Sequence, residues 1–429
     1  MKVALVYRKV PSDWVSCKSI TRNLVRSYHL AFSENHGHQV KSYYLGDESD
    51  SYRIYQESRR LKDFRPDFVI FVDHEPHPIH FLQLLIIDST WSPSFVFHVF
   101  GDFILRAELW KSLEPHLRGK KIHFICASPR QEKLVCCLMN SQEGGTSVVP
   151  FPVSSEEFFF EKDLRKKIRS RLAVESGQPI LLYTGRLSHQ KNILSLLRVF
   201  SVFQQRVNSG ARLWLAGPID DLGVPYLGYK PWYGNYLDRV LRFMSEFLSP
   251  ETRSQITYWG DLKPDRLKEL YHGSDIFVSL STHNDEDFGM APAEAMLCGL
   301  PLLLSDWGGY AAFRDFSPES CFLTPVRMMN QKISADPQSA VTLLSKALER
   351  DWCDEKRSEL ASRASLSFSC ESVAGRLSQS IIKNGKSTFS DFNEEFERIC
   401  QAFRLNPSAP FLEGKGFSKL YQRLYANYV

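Results

Sequence analysis

"DIFVSLSTHNDEDFGMAPAEAMLCGLPLLLS", residues 275–305, passes from an apolar run into an acidic loop, then through Pro292 and an alanine-rich stretch into a second apolar run. Uninterrupted apolar strands of this length are buried on both faces, the mark of a parallel sheet wrapped by helices. Pro292 suits the first turn of a helix, Ala293 to Cys298 extend it, and Gly299 followed by Pro301 stops it. The stretch therefore reads as strand, loop, helix, strand.

The same alternation extends in both directions. "VALVY", "DFVIFV", "SFVFHVF" and "KIHFICAS" predict strands in the first part of the chain, and "PILLYTG", "ARLWLAG", "ITYWG", "DIFVSLS" and "LPLLLS" in the second. Between them Pro150 and Pro152 interrupt structure, a charged helix follows, and Gly177 with Pro179 announces a new strand. A chain of 429 residues exceeds one ordinary core. The expected fold class is α/β: a Rossmann-like domain over 1–160, a second over 175–370, and a helical, strand-free segment over 371–429 that packs across the outside and back to the first domain. Ligands of doubly wound sheets bind beyond the carboxyl ends of the strands. The expected site is the cleft between two such sheets.

Composition narrows the class. The 43% apolar and 24% charged content is that of a soluble globular protein. A formal charge of +4 is well short of the clustered excess of a nucleic-acid binder, so no nucleic-acid partner is expected. Lys162, Arg165, Lys166, Lys167, Arg169 and Arg171 read either as a solvated helix face or as a patch for an anionic ligand or membrane surface. Nine scattered cysteines without a C-x-x-C pair imply reduced, mostly buried thiols. The first apolar run is too short for a signal peptide, and no stretch approaches the ~18 apolar residues of a spanning helix. A cytoplasmic protein is expected, with any membrane contact peripheral at the inner face. The stretch "SITRNLVRSYHLAF", residues 19–32, sets Arg22, Arg26 and His29 beside Ile20, Leu24 and Leu30. It reads as a membrane-surface helix or as one docked on its own sheet.

The chemistry concentrates in two loops. Amides of Gly289, Met290 and Ala291 at a helix start are expected to face the cleft, where an anion belongs. Glu286 and Glu294 flank that position. Carboxylates repel a phosphate, so their expected partners are neutral donors such as sugar hydroxyls. In "PILLYTGRLSHQKN", residues 179–192, a strand ends at Gly185 and Arg186, with Lys191 five residues on. A guanidinium fork and an ammonium together neutralise a diphosphate that gains charge as it leaves. Two surface cations are the plain alternative. The set suggests a ligand with phosphate in its middle and a sugar at each end. An insertion at 218–236 carries Tyr226, Tyr229, Trp232, Tyr233 and Tyr236; it reads as a self-packed loop or as an aromatic platform beside the cleft.

The G-R-x-x-x-x-K stretch and the Glu-x7-Glu loop resemble the retaining family 4 glycosyltransferases of the GT-B fold. "HGHQV" at 36–40, "ICASPRQEKLV" at 125–135, "WGDLKPDRLKELYHGSDIFVSLS" and "SDWGG" are similar to further blocks of that family. The resemblance implies a nucleotide-sugar donor whose diphosphate is held by Arg186 and Lys191, whose ribose is held by Glu294, and whose sugar is held by Glu286. Gly185, Gly260, Asp261, Phe288, Gly289, Met290 and Ala291 would complete the donor site, with the backbone around Gly260 and Asp261 facing the base. It also implies a first-domain histidine: His98 in "FVFHVFGDF" is the candidate, Phe100 aligns equally well, and His74 and His77 lie in a neighbouring loop. A histidine in an apolar strand is equally a satisfied core residue. "RKVPSDWVSCKS" lacks the family's Gly-Gly turn, and "PFPVSS" stands where the family has P-N-G-V-D, so the acceptor pocket is expected to be unusual.

The implied reaction is retaining transfer to an unidentified hydroxyl acceptor, without metal or other cofactor. Asp285, Glu286 and Asp287 also read superficially as the D-x-D metal site of another glycosyltransferase fold. A nucleotide-sugar epimerase of the same architecture and a non-catalytic binder are the remaining alternatives. A nicotinamide enzyme would carry G-x-G-x-x-G after the first strand, where "VALVYRKVPSDW" has none.

Overall fold

The computed structural model describes all residues except 12–14, 34–36, 48–49, 74–78, 88–89, 141–144, 176, 230–233, 330 and 385–386. The chain divides into two units, Met1–Val153 with Ser367–Pro407, and Ser154–Leu366 with Ser408–Val429. His74, His77, Trp232 and Tyr233 lie outside the described residues.

In the first unit, β1 (Lys2–Tyr7), β2 (Gln39–Tyr44), β3 (Phe68–Phe71), β4 (Ser94–His98), β5 (Ile122–Cys126) and β6 (Thr146–Val148) form one sheet in the order β2-β1-β3-β4-β5-β6. All its pairings are parallel. β3, β4 and β5 are buried along their whole length, as apolar runs without alternation require. Their aromatic side chains stack as a core, Phe71 on Phe97 at 4.8 Å and Phe97 edge-on to Trp110 at 5.3 Å. The helix Val15–Ala31 turns Ile20, Leu24 and Tyr28 into this core, and its Arg26 binds Glu371 of the helix Cys370–Asn384 at 3.1 Å. It is docked on its own unit.

In the second unit, β7 (Ile180–Thr184), β8 (Arg212–Ala216), β9 (Ile256–Tyr258), β10 (Ile276–Ser279), β11 (Leu302–Ser305) and β12 (Cys321–Thr324) form a sheet in the order β12-β11-β10-β7-β8-β9, again parallel. The chain winds outward from β7 through β8 to β9, then returns to β10 and winds the other way. The winding therefore reverses between β7 and β10, the place where doubly wound sheets open a crevice for ligands. Leu181, Leu196, Phe200, Leu213, Phe243 and Val278 pack the core beneath one face. Two short antiparallel hairpins complete the unit: β13 (Val326–Met329) with β14 (Lys332–Ala335), and β15 (Leu412–Glu413) with β16 (Gly416–Phe417).

This last hairpin corrects the expectation that residues 371–429 hold no strand. Gly414 adopts φ 61°, the left-handed geometry that closes a two-residue turn between Glu413 and Gly416. The segment is also shared: Ser367–Pro407 completes the first unit, where Phe392 and Phe396 pack on Phe103, and Ser408–Val429 returns to the second. Among the described residues no helix is long and apolar enough to cross a membrane.

The basic run near 165 resolves in part into structure. Arg165 and Arg169, on the helix Leu164–Arg171, bind Asp275 at 2.6 and 3.1 Å, and Arg171 binds Glu269 at 2.7 Å. Asp275 also accepts the Ile180 amide at 2.8 Å, which links the start of β10 to the start of β7. Asp275→Ala is expected to lower unfolding free energy by about 2–3 kcal/mol, because two guanidinium groups and an amide lose one shared acceptor. Urea denaturation checks this, and a loss under about 0.5 kcal/mol would remove Asp275 as the link.

Candidate functional site

The two motif loops leave the sheet from neighbouring strands. β7 and β10 pair in parallel, Leu181 beside Ile276 and Leu182 beside Phe277, so the loop after Thr184 and the loop after Ser279 emerge side by side at the carboxyl edge. Lys191 and Glu286, far apart in sequence, consequently meet: the Lys191 ammonium donates to Glu286 Oε1. Ser281 Oγ donates to the same oxygen at 2.9 Å. Glu286 is only 4% exposed. Burial pushes its carboxyl upward, but the Lys191 charge, with hydrogen bonds from Lys191 and Ser281, outweighs it and holds Glu286 below the usual carboxylate range. Sugar hydroxyls were the expected ligand partners of Glu286; within the protein it pairs with a cation. The reason is topological, since adjacent strands deliver both side chains to one place.

Arg186 is held in the same manner. Its Nη1 donates to Asp220, just past β8, and its Nη2 donates to Gln190 Oε1 at 3.0 Å. Both cations are thus fixed by carboxylates while remaining partly exposed, 29% for the Arg186 side chain and 19% for Lys191. A single ion pair uses one of three ammonium donors on Lys191. Gly185 donates its amide to Ala216 O at 2.9 Å, which seats the start of this loop beside β8.

The acidic loop rests on the "SDWGG" turn. Ser305 Oγ donates to the Ser281 carbonyl, Trp307 Nε1 donates to the His283 carbonyl at 2.8 Å, and the Gly309 amide donates to the Glu286 carbonyl at 2.6 Å. A methyl group on Gly309 would collide with the Asp287 carbonyl, so only glycine permits this approach. Gly289 has φ 110°, and a methyl there would lie 2.7 Å from the Tyr310 ring, which explains glycine where the loop turns into the helix Met290–Leu297. Phe288 is buried against Phe313, ring centroids 5.2 Å apart. Met290 and Ala291 begin that helix.

Glu294 has a different neighbourhood. Its Oε2 accepts from Tyr271 Oη at 2.9 Å, and Tyr271 Oη lies 2.7 Å from Thr184 Oγ1 at the end of β7. Burial raises the Glu294 carboxyl to about 7, and the hydrogen bond from Tyr271 opposes that only in part. Gly260 and Asp261 follow β9, with the Gly260 carbonyl accepting the Gly217 amide at 2.7 Å and Asp261 exposed. Asp285 lies 3.4 Å from His283 Nε2 while Glu286 meets Lys191, so these two acids of the D-x-D reading serve different partners.

His98 belongs to the first unit and is 4% exposed. Its Nε2 is hydrogen-bonded to Tyr28 Oη, and burial, followed by the charge of His123, presses its pKa down to about 3. It is a neutral ring throughout the physiological range. Phe100 is buried beside it and packs on Phe151. At the reversal point of the first sheet, between β1 and β3, buried Arg8 and Asp73 form an ion pair. The 218–236 insertion divides: Tyr226 and Tyr236 are buried, whereas Tyr229 is 48% exposed and packs on His189. A cavity of about 260 Å³ lies there, lined by His189, Asp221, Tyr229, Tyr236 and Arg239.

Sequence reasoning passed over Asp220, Gln190, Ser281 and Tyr271. Asp220 was legible in principle, because an acid directly after β8 shares an edge with Arg186. Tyr271 carries no local signal, since it enters from the last turn of the helix Pro264–Gly273.

Two parallel, doubly wound sheets of six strands each define the GT-B fold. Residues 165–314 match the family described as Glycosyl transferases group 1. An uncharacterized glycosyltransferase of Methanocaldococcus jannaschii is 28% identical over 187 residues, covering 43% of this chain and 42% of that one. The lipopolysaccharide 1,2-N-acetylglucosaminetransferase of Salmonella typhimurium is 27% identical over 237 residues, 54% and 55% of the two chains. The chain thus spans about half the length of the curated relatives it matches. Among solved structures, the Anabaena HepE protein in complex with UDP superposes with a TM-score of 0.61 at 14% identity, over 89% of this chain and all of that one. That likeness shows the GT-B fold.

Glu294 carries a pH dependence. Its folded pKa lies above the unfolded value, so the folded state binds the proton more tightly. Glu294 therefore costs stability increasingly as pH rises from the ordinary carboxylate range towards 7, and by a constant amount above it. Glu294→Gln is expected to raise Tm at pH 8 and to leave it nearly unchanged at pH 4. Equal shifts at both pH values, measured by thermal melts, would show that the carboxyl is not raised.

Proposed function

We propose that the protein transfers a sugar from a nucleotide-diphosphate sugar to a hydroxyl acceptor, with retention of anomeric configuration and without a metal ion. The single observation that carries this reading is the convergence of Lys191 and Glu286 at the reversal point of the second sheet, with Arg186 fixed on the loop after β7. The match of residues 165–314 to the group 1 glycosyltransferases and the UDP bound by the Anabaena relative support it.

In the reaction the bond from the anomeric carbon to the diphosphate breaks, and a bond from that carbon to the acceptor oxygen forms on the same face. The departing phosphate oxygen gathers negative charge and takes the acceptor's hydroxyl proton. Cations held in place beforehand stabilise that charge without reorganising, the largest single source of acceleration in many enzymes. Lys191, braced by Glu286, and Arg186, braced by Asp220, fill this role. Glu286, held by Lys191 and Ser281, meets hydroxyls of the donor sugar. Glu294 takes the ribose hydroxyls, which donate best once its carboxyl is ionised, above about pH 7. His98, neutral and bonded to Tyr28, gives shape to the first unit's sheet edge and carries no charge in the reaction.

A panel of nucleotide sugars, scored for nucleoside-diphosphate release with and without hydroxyl acceptors, tests the reading. Release with any donor supports transfer; conversion to an epimer with no acceptor present would assign the site to epimerisation; binding without turnover would leave a non-enzyme. Lys191→Ala is expected to slow turnover by ~10² or more, the loss typical of one transition-state donor, and wild-type rates in that variant would refute the leaving-group role. EDTA is expected to leave turnover intact. Strict dependence on added manganese would transfer the work to the acidic cluster at 285–287.

A further inference from the structure

Residues 408–429 lie far beyond the 165–314 stretch that resembles other glycosyltransferases, yet they belong to the second unit. They bring a dense aromatic layer. Phe411, Tyr421, Tyr425 and Tyr428 are each 1% exposed or less. Tyr421 packs on Tyr425 with ring centroids 4.5 Å apart, and Tyr425 and Tyr428 close over Trp307 at 6.4 and 5.5 Å. Trp307 is the residue whose indole N–H holds the His283 carbonyl of the acidic loop.

A second contact reaches the loop directly. Asn284, 1% exposed, sits two residues before Glu286. Its Oδ1 accepts Tyr421 Oη at 2.7 Å and Tyr226 Oη at 2.8 Å. Tyr226 also binds His283 Nδ1 at 2.8 Å, and its carbonyl accepts the Phe411 amide at 3.0 Å. One asparagine thus ties together the acidic loop, the aromatic insertion and the returning segment. Nothing in this arrangement is needed to bury Tyr421, whose ring is enclosed by Phe411, Phe417 and Tyr425 regardless of its hydroxyl. The hydroxyl serves the loop.

We infer that Tyr421 is a positioning residue: through Asn284 it holds the 281–288 loop so that Glu286 stays against Lys191 and faces the donor sugar. This rests on the function proposed above for Glu286. Because the ring packing survives, Tyr421→Phe removes the hydroxyl with little effect on the fold.

The test pairs hydrogen exchange with kinetics. In Tyr421→Phe, amide exchange across 281–289 is expected to accelerate about five- to tenfold, the scale of one lost hydrogen bond, while β7 exchanges at the wild-type rate. With an active donor, kcat should fall by a similar factor and donor KM should stay within about twofold. Unchanged loop exchange overturns the inference, as does acceleration spread over the whole second unit, which would make the hydroxyl a general structural bond. Glu286→Gln is run alongside. If it is impaired while Tyr421→Phe turns over normally, the positioning role is wrong; if Glu286→Gln itself is fully active, the reading of Glu286 fails and loop exchange alone judges Tyr421.

Discussion

Two parallel strands that are neighbours in space but nearly a hundred residues apart in sequence place an ammonium and a carboxylate in contact. That contact between Lys191 and Glu286 organises the second unit's carboxyl edge. In water such a pair contributes little; here the carboxylate is buried, so loss of either partner leaves an uncompensated charge away from solvent. The rest of the edge follows from keeping that pair in place: Ser281 shares the carboxylate, and glycines at 308 and 309 let a turn press against the loop backbone. Arg186 and Asp220 repeat the device one strand over.

Pairing a cation with an acid weakens its field but fixes its position. For chemistry in which charge develops suddenly, position counts for more, since a cation that must first be recruited contributes nothing to the barrier. The arrangement also keeps both side chains extended toward the edge, where a long lysine would otherwise sample many rotamers. Glu294 works differently. It accepts from the Tyr271 hydroxyl, and its raised pKa records its burial.

Much of this was legible in the sequence. The apolar runs marked the buried strands because parallel sheets leave no polar face, and Pro292, Gly299 and Pro301 bounded the helix after the acidic loop. The edge strand β2 was missed because "QVKSYY" is half exposed and its apolar content is low. β6 has three residues and carries no periodicity. The β15–β16 turn was missed because helical patterns on either side absorbed it. Arg186, Lys191 and Glu286 could be named from their residue types and loop positions, but their pairing could not, since it depends on which strands become neighbours. His98 shows the converse: its type and position suited chemistry, and its burial against Tyr28 gives it a packing partner.

The division of the chain has a consequence for how the molecule is made. Residues 367–407 finish the first unit, and residues 408–429 then lay the tyrosine layer over Trp307 in the second. Each unit therefore lacks part of its apolar cover until the chain has been synthesised well past the other. During translation both sheets wait with aromatic side chains uncovered, a period in which aggregation competes with folding. A cut near 153 would part the first sheet from residues 367–407 that complete its unit, while the second unit would keep all of its own residues.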